Sequence, residues 1–267
     1  MLQEKLSLSD IDSIRQLQPE GWADITDAFK LYCSSGFCHP IKMTLNGAIV
    51  GVGNAIFFGH TAWLSHVIVD SNHRKQGVGN KIVDSLLTEI GARGIETSLL
   101  IATDLGEPVY VKAGFRKVSD YCFFKKESSI IDKQISDKIQ PYRSEFYNDV
   151  IQLDAYISGE NRETLLTKYI DQSVVFISNK AIEGYYMPNL GEGLVFALTA
   201  DAGRELMRLK YSTVDHAVIP VENQVGIEIL RELGFCERNT KGKRMIFGRD
   251  INWRPEMVYG RIGGNMG

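Results

Sequence analysis

The stretch from Val67 to Leu87, VIVDSNHRKQGVGNKIVDSLL, constrains this chain more than any other. The apolar run Val67-Ile68-Val69 reads as the end of a buried strand. A polar turn, Asp70-Ser71-Asn72-His73, leads into Arg74-Lys75-Gln76-Gly77-Val78-Gly79-Asn80. Val78, Ile82, Val83, Leu86 and Leu87 then recur at helical spacing. A strand, a basic glycine loop and a helix start, in that order, make an anion site. The first amides of a helix have no partner inside it, and the helix end carries about half a positive charge. Gly77 and Gly79 lack a Cβ, so a phosphate can approach the backbone there, and Arg74 and Lys75 add full charges beside it. The loop fits neither the Walker pattern G-x-x-x-x-G-K-S/T nor the dinucleotide pattern G-x-G-x-x-G.

Composition narrows the classes of function. A formal net charge of −3 excludes a nucleic-acid coat or an anionic-membrane binder as the first reading. The N-terminal MLQEKLSLSDIDSIRQLQ has no long apolar core and no cleavage site, so no signal peptide is expected, and no run is apolar enough for a membrane span. The expected location is cytoplasmic. Cys33, Cys38, Cys122 and Cys236 fit neither a zinc site nor a disulfide framework and are expected to be reduced and mostly buried. No metal site is expected.

Along the chain, Leu2 to Leu6 reads as a short strand. Ser9 is the expected N-cap of a helix through Ile11, Ile14 and Leu17, with Asp12 in the capping-box place. Trp22, Ile25, Phe29 and Leu31 mark a second helix, stopped at Cys33-Ser34-Ser35-Gly36. Asn46-Gly47 is a hairpin signal between strands at 39–45 and 48–58, and Gly59-His60 turns into the strand 61–69. After the loop and helix, Thr97 to Ala102 reads as a buried strand in parallel pairing. A second motif follows, Thr103 to Phe115: Pro108 suits a helix's first turn, Gly114 its stop, and Tyr110 lies between them.

The R-x-x-G-x-G of Arg74 to Gly79 resembles the acyl-CoA-binding motif of the GNAT superfamily of N-acetyltransferases, and the Y-x-x-x-G-F of Tyr110 to Phe115 is common in the same family. The two stand in the family's order, one helix, strand and loop apart. The resemblance implies transfer of an acetyl group from acetyl-CoA to an amine. It places the coenzyme along Val67, Ile68 and Val69, and its diphosphate on the amides of Lys75, Gln76, Gly77, Val78, Gly79 and Asn80, with Arg74 beside them. Tyr110 would protonate the departing thiolate. The family often has an asparagine ahead of the tyrosine; this chain has Thr103, whose hydroxyl is the expected substitute contact. His66 is the candidate base, although strand parity turns it away from Trp63, Ser65 and Val67 unless a bulge intervenes. His60 and His73 read as turn residues. The helical region near Trp22 is implied to be a lip of the acceptor site.

Residues 127–138 are polar and read as a linker between an N-terminal acetyl-CoA-binding domain, 1–126, and a C-terminal domain, 139–267. The second half repeats the order of the first: strands at 173–178, 181–187 and 193–198, a helix at 201–209, a strand at 214–221, a helix at 225–233, Gly234-Phe235 and a strand at 244–248. It lacks the chemistry. Thr199-Ala200-Asp201-Ala202-Gly203-Arg204 replaces the basic glycine loop, and Leu230 replaces the tyrosine. Its Asp154, Gly159 and Arg162, with Asn223 and Gly234-Phe235, resemble a C-terminal domain of some two-domain members. Asp154, Glu160 and Glu183 are alternative candidates for the base, should they reach a cleft between the domains, and each is expected to be a solvated surface carboxylate. The expected architecture is therefore α+β: two acetyltransferase-like domains, each a mostly antiparallel mixed sheet flanked by helices, the second degenerate. The expected acceptor is a small-molecule amine. A protein lysine, a non-catalytic CoA-binding or interaction module, and an oligomeric scaffold are the alternatives. The sequence leaves the oligomeric state open.

Overall fold

At Asn46-Gly47 both residues take left-handed backbone angles, φ 51° and 81°, which suits the twist of a two-residue hairpin. The turn joins β2 (Cys38–Leu45) to β3 (Ala48–Phe58), one step in a longer antiparallel meander. In the computed structural model the described residues are 1–127 and 136–267; most of the expected linker, 128–135, lies outside them. They divide into two units. The first holds Met1–Lys117, Met245–Asp250 and Gly264–Met266; the second holds Val118–Arg244, Ile251–Gly263 and Gly267.

In the first unit β1 (Leu2–Lys5), β2, β3 and β4 (Thr61–Val69) pair antiparallel in sequence order. β5 (Thr97–Ala102) adds in parallel, and the end of a later strand, from Met245 to Gly248, follows it. α1 (Ile25–Ser34), α2 (Val78–Ala92) and α3 (Glu107–Lys112) complete it. α2 buries Val78, Ile82, Val83, Leu86 and Ile90 on the sheet. The fit is close: a Cβ on Gly53 would lie 2.5 Å from Ile82 Cγ2, so β3 carries glycine where the helix presses on it.

Local starts and stops differ from the sequence reading in two places. The first helix is two 3-10 segments, Leu8–Asp10 and Asp12–Leu17, and its capping box is Ser7 with Asp10, not Ser9 with Asp12. The Ser7 amide donates to Asp10 Oδ2 at 2.9 Å, which fixes the turn two residues early. α1 starts at Ile25, after Trp22, because Asp24 accepts the Thr26 amide at 2.8 Å. Its buried face is Ile25, Phe29 and Tyr32, with Leu31 half out.

In the second unit, β7 (Ile139–Pro141), β8 (Val174–Ser178), β9 (Ala181–Met187), β10 (Leu194–Ala197) and β13 (Val258–Gly260) form an antiparallel sheet. β6 (Arg116–Lys126) lies between β11 (His216–Pro220) and β12 (Phe235–Gly248). The helices are α4 (Tyr147–Ser158), α5 (Glu163–Leu166), α6 (Ala200–Tyr211) and α7 (Gln224–Glu232). β12 is far longer than the expected 244–248 strand. Asp154 and Glu160 are not solvated as expected: they are 1% and 3% exposed. Asp154 receives both Nε (3.0 Å) and Nη2 of Arg162, and the Tyr185 hydroxyl; a buried carboxylate needs such partners. The four cysteines form no disulfide, but they are not mostly buried as expected: Cys122 is buried, Cys33 and Cys38 are half-buried, and Cys236 is exposed. No helix among the described residues is long and apolar enough to cross a membrane.

Candidate functional site

The tip of α2 is bare. Gly77 precedes the helix with φ 81°, a conformation that suits glycine, and nothing lies within 4 Å of where its Cβ would be. Lys75 also has positive φ, 58°. Among the described residues, no protein acceptor meets the amides of Lys75, Gln76, Gly77, Val78, Gly79 or Asn80. Asp70, at the start of the loop, is engaged by the Asn72 amide (2.8 Å) and His73 Nδ1 (3.0 Å). Arg74 and Lys75 are exposed, and Arg74 Nε reaches the Val69 carbonyl at 3.3 Å, which holds its guanidinium by the loop.

Beside this tip the sheet opens. β4 and β5 pair only at Thr61↔Thr97, Ala62↔Ser98 and Trp63↔Leu99. Beyond Trp63 the β5-facing edge of β4, which includes Val67, Ile68 and Val69, has no strand against it among the described residues. Apart from the Val69 carbonyl, which accepts Arg74 Nε, unpaired backbone groups there are free for an extended ligand.

Tyr110 lies in α3, buried in the core of this unit with its ring edge-on to Phe115 at 5.9 Å. Val109, one residue before it, lies 3.8 Å from where a Gly79 Cβ would be, so α3 stands next to the α2 tip. The Tyr110 hydroxyl has no protein hydrogen-bond partner among the described residues, and burial pushes its pKa well above the ordinary tyrosine value. Thr103 Oγ1 is used locally: it accepts the Gly106 amide at 3.3 Å, at the turn into α3.

A bulge does intervene at His66. The register runs Val52↔Ile68 and Asn54↔Ser65, so Gly53 opposes both His66 and Val67. His66 takes φ 48°. The bulge reverses side-chain parity: Ala62 and Leu64 face the α2 core before it, Val67 and Val69 after it. His66 therefore sits on the α1 face, among Trp22 (5.9 Å), Phe29 (5.9 Å) and Tyr32 (5.5 Å). Its Nδ1 is 2.8 Å from the Tyr32 hydroxyl, which in turn takes Asn265 Nδ2 at 2.9 Å. Burial lowers the His66 pKa to about 4, so the ring is neutral at pH 7, a weaker base than its ordinary value implies. Sequence reasoning missed Tyr32, Asn54, Ser65 and Asn265 on this face. The one sequence signal was the switch from even to odd apolar positions between Leu64 and Val67.

The corresponding place in the second unit is filled by its own chain. Thr199 caps α6, accepting the Ala202 amide at 3.3 Å. Tyr259 packs over the first turn: a Cβ on Gly203 would lie 2.3 Å from its ring. β13 pairs with β10 at Val195↔Gly260 and Phe196↔Val258, and Asn223 Nδ2 holds the Val258 carbonyl at 2.9 Å. Among the described residues, no group of three or more His, Cys, Asp or Glu side chains is placed to hold a metal ion.

Residues 13–129 match a family model described as "Acetyltransferase (GNAT) domain", and residues 150–260 match a second model of that description; together they span most of the chain. A Bacillus subtilis (strain 168) relative, "Uncharacterized N-acetyltransferase YitH", is 24% identical over 204 residues, covering 70% of this chain and 69% of the relative. A Pyrococcus horikoshii structure described as "A Putative Acetyltransferase" has TM-score 0.82 at 19% identity, covering 100% of this chain and 95% of that one. A GCN5-related N-acetyltransferase of Sphaerobacter thermophilus has TM-score 0.68 at 11% identity, covering 94% and 98%. The two structural likenesses are ones of fold.

Proposed function

The chain belongs to the GNAT acetyltransferase family and is an acyltransferase of two GNAT domains, and from that premise we propose that its first unit moves an acetyl group from acetyl-CoA to the amine of a small-molecule acceptor. One observation carries the reading: a run of unpartnered amides at the α2 tip, continuous with the open edge of β4. These donors fit a diphosphate followed by an extended chain of amides. In the proposed arrangement the amides from Lys75 to Asn80, with Arg74, hold the diphosphate. The backbone of Val67, Ile68 and Val69 pairs with the pantetheine amides, with an N–H near Val69 on the thioester carbonyl. Held there, thioester and amine meet without the entropy loss of a free encounter. As the C–N bond forms and the C–S bond breaks, the Tyr110 hydroxyl gives its proton to the sulfur, and the proton shed by the amine nitrogen passes through solvent to restore the Tyr110 phenol. Its raised pKa keeps that proton in place at neutral pH. Thr103 lines the approach to α3. We assign coenzyme binding to the first domain alone, because α6 is capped and β13 lies along β10.

The test is thioester turnover with a panel of small amines, paired with calorimetric titration of acetyl-CoA. The expected result is CoA release with at least one low-mass amine and one coenzyme bound per chain. Two coenzymes per chain would overturn the assignment of the second unit. Binding without turnover on any amine would favour a non-catalytic module. Turnover on protein lysines alone would replace the acceptor class.

A further inference from the structure

We propose that Asn265 is a positioning residue that fixes the tautomer of His66, so that His66 meets the acceptor as a hydrogen-bond donor through Nε2–H. The acceptor is then an amine that carries its own oxygen, a carbonyl, carboxylate or hydroxyl, within reach of that donor. The substrate part of this inference rests on the function proposed above.

The argument is one of hydrogen-bond direction. Three side chains of the first unit stand in line: Asn265 Nδ2, the Tyr32 hydroxyl at 2.9 Å, and His66 Nδ1 at 2.8 Å from that hydroxyl. An amide nitrogen only donates. The Tyr32 oxygen receives hydrogens from Asn265 and from Ser65, which fills both of its lone pairs, and it has one proton of its own to give. That proton goes to His66 Nδ1, which must offer a lone pair. A neutral imidazole with a bare Nδ1 carries its hydrogen on Nε2. The ring is held neutral by its apolar surroundings, Trp22, Phe29 and Tyr32, and desolvation alone lowers its pKa, with no charged neighbour opposing it.

His66 Nε2 is open. Among the described residues it has no protein partner, and the only sealed side-chain atoms without one are Thr26 Oγ1 and Asn54 Oδ1. The group aimed outward is therefore an N–H, which gives a hydrogen bond and cannot take a proton. This reverses the role of base that the sequence had assigned to His66. The β4 bulge supplies the ring, α1 supplies the relay, and the segment Gly264–Met266 supplies the residue that sets the direction.

The experiment is long-range ¹H–¹⁵N correlation NMR of the full chain at pH 7, without substrate. His66 is expected as the Nε2–H tautomer, titrating near pH 4. Asn265→Asp offers only acceptors, so Tyr32 turns its proton toward it and His66 donates from Nδ1; the spectrum should switch to the Nδ1–H tautomer. The same variant should raise KM for the amine severalfold, up to about tenfold, with KM for acetyl-CoA unchanged. Tyr32→Phe breaks the relay and should leave His66 a mixture of tautomers, a check if Asn265→Asp does not fold. A native Nδ1–H tautomer, or one unmoved by Asn265→Asp in a folded chain, overturns the proposal. Because the tautomer is read without turnover, its failure is separable from failure of the acetyl-transfer reading.

Discussion

Gly77→Asp should weaken acetyl-CoA binding by about a hundredfold or more while leaving the chain folded. The tip amides are the proposed ligands of the diphosphate, and hydrogen bonds to a charged group contribute roughly 1.5–3 kcal/mol each. Losing the equivalent of two is about 3 kcal/mol, or about two decades in affinity. A carboxylate beside the site adds repulsion. The structural cost is smaller: space at Gly77 is open, and a left-handed backbone at φ 81° costs an ordinary residue about 1–2 kcal/mol. Gly94→Asp is the matched control. Gly94 follows α2, has φ 72° and is equally open. It should lower the melting temperature by a similar few degrees and leave the coenzyme dissociation constant unchanged. Equal binding by Gly77→Asp and the native chain, in calorimetry, would remove the tip from the site.

Tyr110→Phe should lower kcat by about a hundredfold to ten-thousandfold, the usual worth of a general acid, with both KM values within a few fold. Phenylalanine keeps the ring against Phe115, and the lost hydroxyl has no protein partner among the described residues, so stability should change little. The pH profile separates an acid from a packing residue. Burial raises the Tyr110 pKa, so its protonated form persists above the ordinary tyrosine range, near pH 10. The native rate should show no alkaline loss from this group up to about pH 10, and the variant should be slower by the same factor throughout. A variant with full activity at every pH would end the assignment.

The elements that build the proposed coenzyme site are local in sequence, so the strand, turn and helix themselves were legible there. The strand at 61–69, the Asn46-Gly47 turn and the α2 pattern each follow from residues within one turn of one another. The face of Tyr32, His66 and Asn265 was not legible, because its members come from distant parts of the chain. Tyr32, His66 and Asn265 meet only through the fold, and the meeting depends on a bulge that breaks the period on which strand reading relies. Trp63 and Ile68, apolar on the other face, blurred the switch from Leu64 to Val67. β13 escaped for a related reason: three residues have no periodicity, and only pairing with Val195 and Phe196 makes them a strand. The buried Asp154 could not be told from a surface carboxylate until Arg162 and Tyr185 were seen to share it.

The most direct measurement is backbone ¹H–¹⁵N NMR of the amides from Gln76 to Asn80 during titration with CoA and, separately, with pantetheine, which lacks the diphosphate. The account predicts large shifts of these amides with CoA and little change with pantetheine. Amides that stay unmoved at saturating CoA, or that move equally with pantetheine, would contradict it.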